Sequence, residues 1–134
     1  MHYRLLPTPL KPLADKFYRS QRSPMRASAA AQVWVAQKDA IIASLCLRAV
    51  DDGLWLTGLL VMPDWRGQGI ATRLLTEALA DRRMPVWLFC HPDLQPFYQR
   101  QGFRPAPLLP PTLHQRLKRY QLTKKLVAMH CQPQ

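Results

Sequence analysis

The spacing of apolar residues along this chain switches between a period of two and a period near three and a half, and the switches mark out its elements. HYRLL near the start reads as a short strand. PLADKFYRSQ reads as an amphipathic helix, with Leu13, Phe17 and Tyr18 about one turn apart. QVWVAQ, IIASLCLRAV and LWLTGLLVM are then three β-rich runs, broken by the polar KD and the turn DDG, and predict an antiparallel meander. Pro63 holds Met62 out of the helical region. The following IATRLLTEALADR puts Ile70, Ala71, Leu74, Leu75, Ala78 and Leu79 on one face of a helix. MPVWLFC returns to strand, DLQPFYQRQ is helical around Tyr98, and Gly102 supplies a stop. PTLHQRLKRYQ has helical character, and KKLVAMH has the apolar centre of a last strand, whose exposed edge can pair with a second subunit.

A helix joins LWLTGLLV to VWLFC, so these two strands can lie parallel through a crossover while the earlier ones pair by hairpins. The expected fold is α/β (α+β), a mixed and mostly antiparallel central sheet flanked by helices. With 134 residues the chain suits one domain spanning 1–134.

Charge adds one constraint: 19 Lys and Arg against 8 Asp and Glu give a positive surface potential that favours phosphates, acidic small molecules or nucleic acid. Cys46, Cys90 and Cys131 are odd in number and widely spaced, with no CxxC pair, so neither a disulfide framework nor a zinc site is expected and a reducing cytoplasm fits. No metal is expected at the site. The N-terminus lacks a signal-type apolar core, and no stretch approaches the roughly 20 apolar residues that span a bilayer, so no membrane partner is expected.

The segment MPDWRGQGIATRLL, residues 62 to 75, carries the chemistry. A helix starting near Ile70 leaves its first N–H groups without partners, and no Ser, Thr, Asp or Asn stands directly before it as a cap. Gly67 and Gly69 let main chain approach a ligand, and Arg66 adds charge, so a phosphate can sit at this helix start; water in a plain glycine turn is the alternative. A Walker A loop would need Gly-Lys-Ser/Thr, and the dinucleotide fingerprint a glycine where Thr72 stands, so both patterns fail.

Arg66-x-x-Gly69-x-Ala71 after an antiparallel strand resembles the pyrophosphate-binding signature of the GNAT superfamily of N-acetyltransferases. PFYQRQGF further on is similar to that family's Tyr-x-x-x-Gly-Phe segment, and the resemblance runs from roughly Gln32 to Phe103. It implies a GNAT fold in which the parallel strands splay to open a slot for acetyl-CoA. The main chain of Leu59, Leu60 and Val61 would then pair with the pantetheine arm, and Gly67, Gln68, Gly69, Ile70, Ala71 and Thr72, with Arg66, would hold the pyrophosphate. It further implies direct attack of a primary amine on the thioester, with Tyr98 protonating the leaving sulfur. His91 stands where members commonly carry an asparagine that contacts pantetheine; this histidine can donate a hydrogen bond, act as a base, or be solvated in a loop opening at HPD.

LWLTGLLV and VWLFC contain no carboxylate, so no general base is assigned, and Asp51 and Asp52 read as a hairpin turn. The missing base motivates an alternative: a non-catalytic acetyl-CoA-binding regulator or docking protein. Cys90 reads as a packing residue; of the tryptophans, three read as core and Trp65 as a possible flank for CoA. His114, Arg116, Lys118, Arg119, Lys124 and Lys125 form a basic segment that reads first as a solvated face. No nucleic-acid fold signature accompanies it, so nucleic acid is not the expected partner. The amine acceptor has no signature, and monomer and homodimer are both open.

Overall fold

The computed structural model describes residues 1–132, so the last two positions of the expected 1–134 domain lie outside the described residues. Seven strands form one sheet in the order β1-β2-β3-β4-β5-β7-β6. They are β1 (His2–Leu5), β2 (Gln32–Lys38), β3 (Ala40–Val50), β4 (Gly53–Val61), β5 (Val86–Cys90), β6 (Arg104–Pro105) and β7 (Val127–Cys131). Four α-helices accompany them: α1 (Lys11–Ser20), α2 (Ile70–Leu79), α3 (Gln95–Arg100) and α4 (Pro111–Gln121). β4 and β5 run parallel, while β1 with β2, β2 with β3, β5 with β7 and β6 with β7 are antiparallel. This is the mixed α/β fold expected from the pattern.

The chain sorts into two compact units, the first made of Met1–Arg48 with Thr57–Asp81 and the second of Ala49–Leu56 with the chain from Arg82 onward. In the first unit, Val33 and Val35 of β2, Cys46 of β3 and Ala14, Phe17 and Tyr18 of α1 share one apolar cluster. Residues 42–47 of β3 are buried without a break, the mark of a strand covered on both faces. α1 turns a different face inward from the one expected. Ala14 is buried and Leu13 is 45% exposed, because Ala14, Phe17 and Tyr18 follow the i, i+3, i+4 stripe and Leu13 falls beside it. On α2 the buried residues are Ile70, Leu74, Leu75 and Leu79, with Ala71 and Ala78 at the margin of the stripe.

In the second unit the parallel ladder pairs Leu54 with Val86, Trp55 with Trp87 and Leu56 with Leu88. Trp55, Trp87 and Leu113 are the buried centre of its aromatic cluster, with the Phe89 ring 5.4 Å from Trp55. β6 had no counterpart in the sequence pattern, and it changes the status of the last strand. β7 lies between β5 and β6, and β6 pairs with it at Met129 and His130, so the edge expected to be exposed is covered there by the chain itself. Among the described residues no helix is long and apolar enough to cross a membrane.

Candidate active site

β4 brings Leu59, Leu60 and Val61 to the start of the charged turn. Side chains alternate along a strand, and Leu60 and Met62 pack on the cluster of the first unit, so Leu59 and Val61 project from the other face. Pro63–Trp65 form one turn of 3-10 helix, with Trp65 N–H donating to Met62 O at 2.9 Å and Arg66 N–H to Pro63 O at 3.2 Å. The Arg66 side chain folds back so that Nε donates to Val61 O at 2.9 Å. That bond ties the guanidinium to the end of β4 and keeps a fixed positive charge at the turn.

Gly67 and Gly69 both take left-handed backbone angles, φ 76 and 77°, and a side chain built on either would meet nothing within 4 Å. Gly69 is the N-cap of α2 and offers no side-chain cap. The first main-chain bond into the helix is donated by Arg73 to Gly69 O at 3.0 Å, and the N–H groups of Ile70 and Ala71 at the helix start have no intrahelical carbonyl to reach. Open space, a helix start and a nearby arginine come together at residues 66–71, an arrangement whose charge and geometry suit an anion. Arg73, which the sequence did not single out, stands in the first turn of α2; it pairs with Glu77 at 2.9 Å and lies 5.0 Å over the Tyr3 ring. Trp65 is half-buried in the turn, with Lys38 Nζ 5.6 Å from its ring.

Beneath β4 lies a residue that sequence reasoning left in the core. Tyr18 is fully buried, and its hydroxyl donates to the carbonyl of Gly58 at 2.7 Å while lying 3.6 Å from Cys46 Sγ. Gly58 takes φ +67° inside the strand. The signal was available, since an isolated glycine in a strand pattern such as LWLTGLLV marks a bulge or a close approach.

In the second unit, Tyr98 stands on α3 with 8% of its surface exposed, edge-on to Phe97 at 5.0 Å and Phe103 at 5.8 Å. Burial, with the Cys90 thiol adding to it, pushes the Tyr98 phenol up to about 12, so it holds its proton at neutral pH and can donate it. Phe103 N–H donates to Tyr98 O at 3.0 Å, which closes α3 just after Gly102. Cys90 is buried, its Sγ 3.8 Å from Met129 Sδ, and burial raises its pKa, as suits a packing residue. His91 is exposed and caps the turn Pro92–Leu94, its Nδ1 accepting from Asp93 N–H at 3.1 Å. The neutral ring therefore carries its proton on Nε2. Asp51 and Asp52 sit exposed in the β3–β4 hairpin turn.

A cavity of about 340 Å³ in the first unit is lined by Leu13, Phe17, Ile41 and Met62, with Lys16 and Asp39 among its polar groups. None of the residues expected to bind the cofactor or to catalyse lines it. Among the described residues no three His, Cys, Asp or Glu side chains gather to hold a metal.

Residues 29–105, more than half of the chain, match the acetyltransferase (GNAT) domain family. The chain belongs to that family. No curated protein matches it by sequence. Among solved structures it is similar to the N-acetylglutamate synthase of Neisseria gonorrhoeae in complex with coenzyme A and N-acetyl-glutamate. The TM-score is 0.73 at 14% identity, and the match covers 100% of this chain and 36% of that one, so the chain spans about a third of the synthase. Tetrahymena GCN5 matches with a TM-score of 0.70 at 14% identity, over 100% of this chain and 97% of that chain. Escherichia coli ElaA matches with a TM-score of 0.68 at 17% identity, over 98% and 99%. These likenesses establish a GNAT fold.

Proposed function

We propose that the chain is a single-domain, acetyl-CoA-dependent N-acyltransferase that moves an acetyl group to a primary amine by direct attack. The observation that supports this most is the turn at Gly67 and Gly69, whose open, left-handed backbone leads into a helix without a side-chain cap. A diphosphate ester has the charge and the acceptor oxygens to satisfy the N–H groups of residues 67–71, with Arg66 as counter-charge and Thr72 beside them. The main chain of Leu59, Leu60 and Val61 offers donors and acceptors to the amide groups of a pantetheine arm. Solved GNAT structures bound to coenzyme A, including the gonococcal synthase, support the same assignment.

Acetyl-CoA supplies a thioester whose C–S bond breaks as the amine nitrogen bonds to the carbonyl carbon. Tyr98 gives its phenolic proton to the departing sulfur, and the proton lost by the nitrogen returns to the phenolate through solvent. Hydrogen bonding of the thioester oxygen to main-chain N–H of β4 would stabilise the charge developing there. His91, held as a turn cap through Nδ1, has Nε2–H left to donate to pantetheine. Binding of CoA in a titration calorimeter at micromolar to millimolar concentration tests the first half; no heat at millimolar CoA removes the reading. Tyr98→Phe should lower kcat about 10- to 100-fold with CoA affinity kept within twofold, and an unchanged kcat removes Tyr98 from the mechanism. Binding without thiol release against a broad amine panel would turn the assignment into a CoA-binding regulator.

A further inference from the structure

Tyr18 lies outside every motif of the family resemblance, yet its hydroxyl meets β4 at the one residue of that strand with a left-handed angle. We propose that Tyr18 is a positioning residue for the acetyl-CoA arm, fixing the Gly58–Leu59 peptide so that the Leu59 N–H is aimed at the ligand; this rests on the acetyl-CoA reading above.

The argument is geometric. Positive φ at Gly58 rotates the peptide that follows it out of the regular ladder and leaves a carbonyl in need of a donor. Tyr18 O–H supplies that donor at 2.7 Å, from a ring with no exposed surface. A trans peptide is planar, with its C=O and N–H pointing in opposite directions. Holding the Gly58 C=O towards Tyr18 therefore points the Leu59 N–H to the opposite side of the strand, away from the α1 core.

The surroundings make the arrangement rigid. A side chain at residue 58 would come within 2.8 Å of Met25 Cγ and 3.0 Å of the Tyr18 hydroxyl, so the kink has no room to relax towards the tyrosine. The Phe17 ring, 5.6 Å from Tyr18, and Cys46 Sγ, 3.6 Å from its hydroxyl, fix the phenol from two further sides. A preorganised donor binds more tightly than one that must be oriented on binding, because the ordering is already done in the free protein.

Tyr18→Phe keeps the ring and deletes the one bond. CoA binding by calorimetry and steady-state rates should show Kd for CoA and KM for acetyl-CoA both raised about tenfold, with kcat and the acceptor KM within twofold. Leu6→Ala, which loosens the same apolar cluster, serves as the control and should bind CoA as the wild type does. Equal CoA affinity in Tyr18→Phe and wild type overturns the positioning role, and so does an equal loss in Leu6→Ala, which would mean general softening. In the unmutated chain, CoA should shift the Leu59 amide resonance downfield, and an unmoved resonance overturns the proposal even if the variant fails to fold. A wild type that does not bind CoA removes the parent reading as well, whereas binding with an indifferent Tyr18→Phe removes only this inference.

Discussion

Gly58 and the pair Gly67 and Gly69 share nearly the same backbone angle, φ +67° against +76 and +77°, and stand in opposite surroundings. At Gly58 the space a side chain would occupy is taken by Met25 and Tyr18; at Gly67 and Gly69 that space is empty. One glycine exists so that the protein can touch itself, the other two so that main chain stays bare to the outside. The same conformational freedom thus serves packing within β4 and access at the start of α2, and substitution should separate the two.

The largest effect is expected at the crowded position. Gly58→Ala combines left-handed strain with contacts at 2.8 and 3.0 Å, and should destabilise the protein by about 3 kcal/mol, lowering Tm by roughly 10 °C. Adding Met25→Ala should recover part of that loss, since Met25 Cγ and Sδ account for two of the three close approaches. A Tm within 2 °C of wild type for Gly58→Ala in thermal melts would mean that the strand is not held as tightly as its contacts imply.

At the open turn the order of consequences should reverse. Gly69→Ala meets nothing and bears the angle alone, a loss of about 1 kcal/mol in stability. Its methyl group projects into the space where the diphosphate is proposed to sit, so the Kd for CoA should rise tenfold or more, and Gly67→Ala should behave alike. Calorimetry and chemical denaturation on the same samples check this. Equal stability losses at residues 58 and 69 would erase the contrast, and unchanged CoA affinity in both turn variants would move the pyrophosphate elsewhere.

The open turn was legible in the sequence and the crowded kink was not, for a physical reason. RGQG lies between a run of period two and a run of period 3.6, and its glycines, arginine and absent cap are all local features that need no partner to be seen. The meander, α2 and the helix around Tyr98 were read from similarly local repeats. The Tyr18 to Gly58 bond joins residues 40 apart, so periodicity carries no trace of it beyond an isolated glycine in a strand. β6 was missed because two residues, one of them Pro105, are too few to alternate. The one-place error on α1 arose because Leu13 is the more apolar residue while Ala14 lies on the inward stripe, and position on the helix outranked side-chain size.

The smallest effect concerns pH, and it should touch the kink and spare the turn. Burial raises the Cys46 thiol to about 11 from its ordinary 9; the Tyr18 hydroxyl, Arg48 and Lys11 partly offset this, while Asp15 adds to the rise. Tyr18 itself is pushed well up by burial and by Cys46. A group that holds its proton more tightly when folded contributes stability in full below its unfolded pKa and loses it as pH rises through the folded value. The window set by Cys46 therefore runs from about 9 to about 11. Urea unfolding at pH 8 and pH 10 should show the wild type losing on the order of 1 kcal/mol more than Cys46→Ala over that step. If both decline in parallel, the thiol is not sealed in the core, and the support under Gly58 is looser than the Tyr18 bond implies. A steeper decline in Cys46→Ala would reverse the sign and place the thiol in a site that favours its anion. That result would identify Arg48, rather than burial, as the stronger influence on the groups holding the kink.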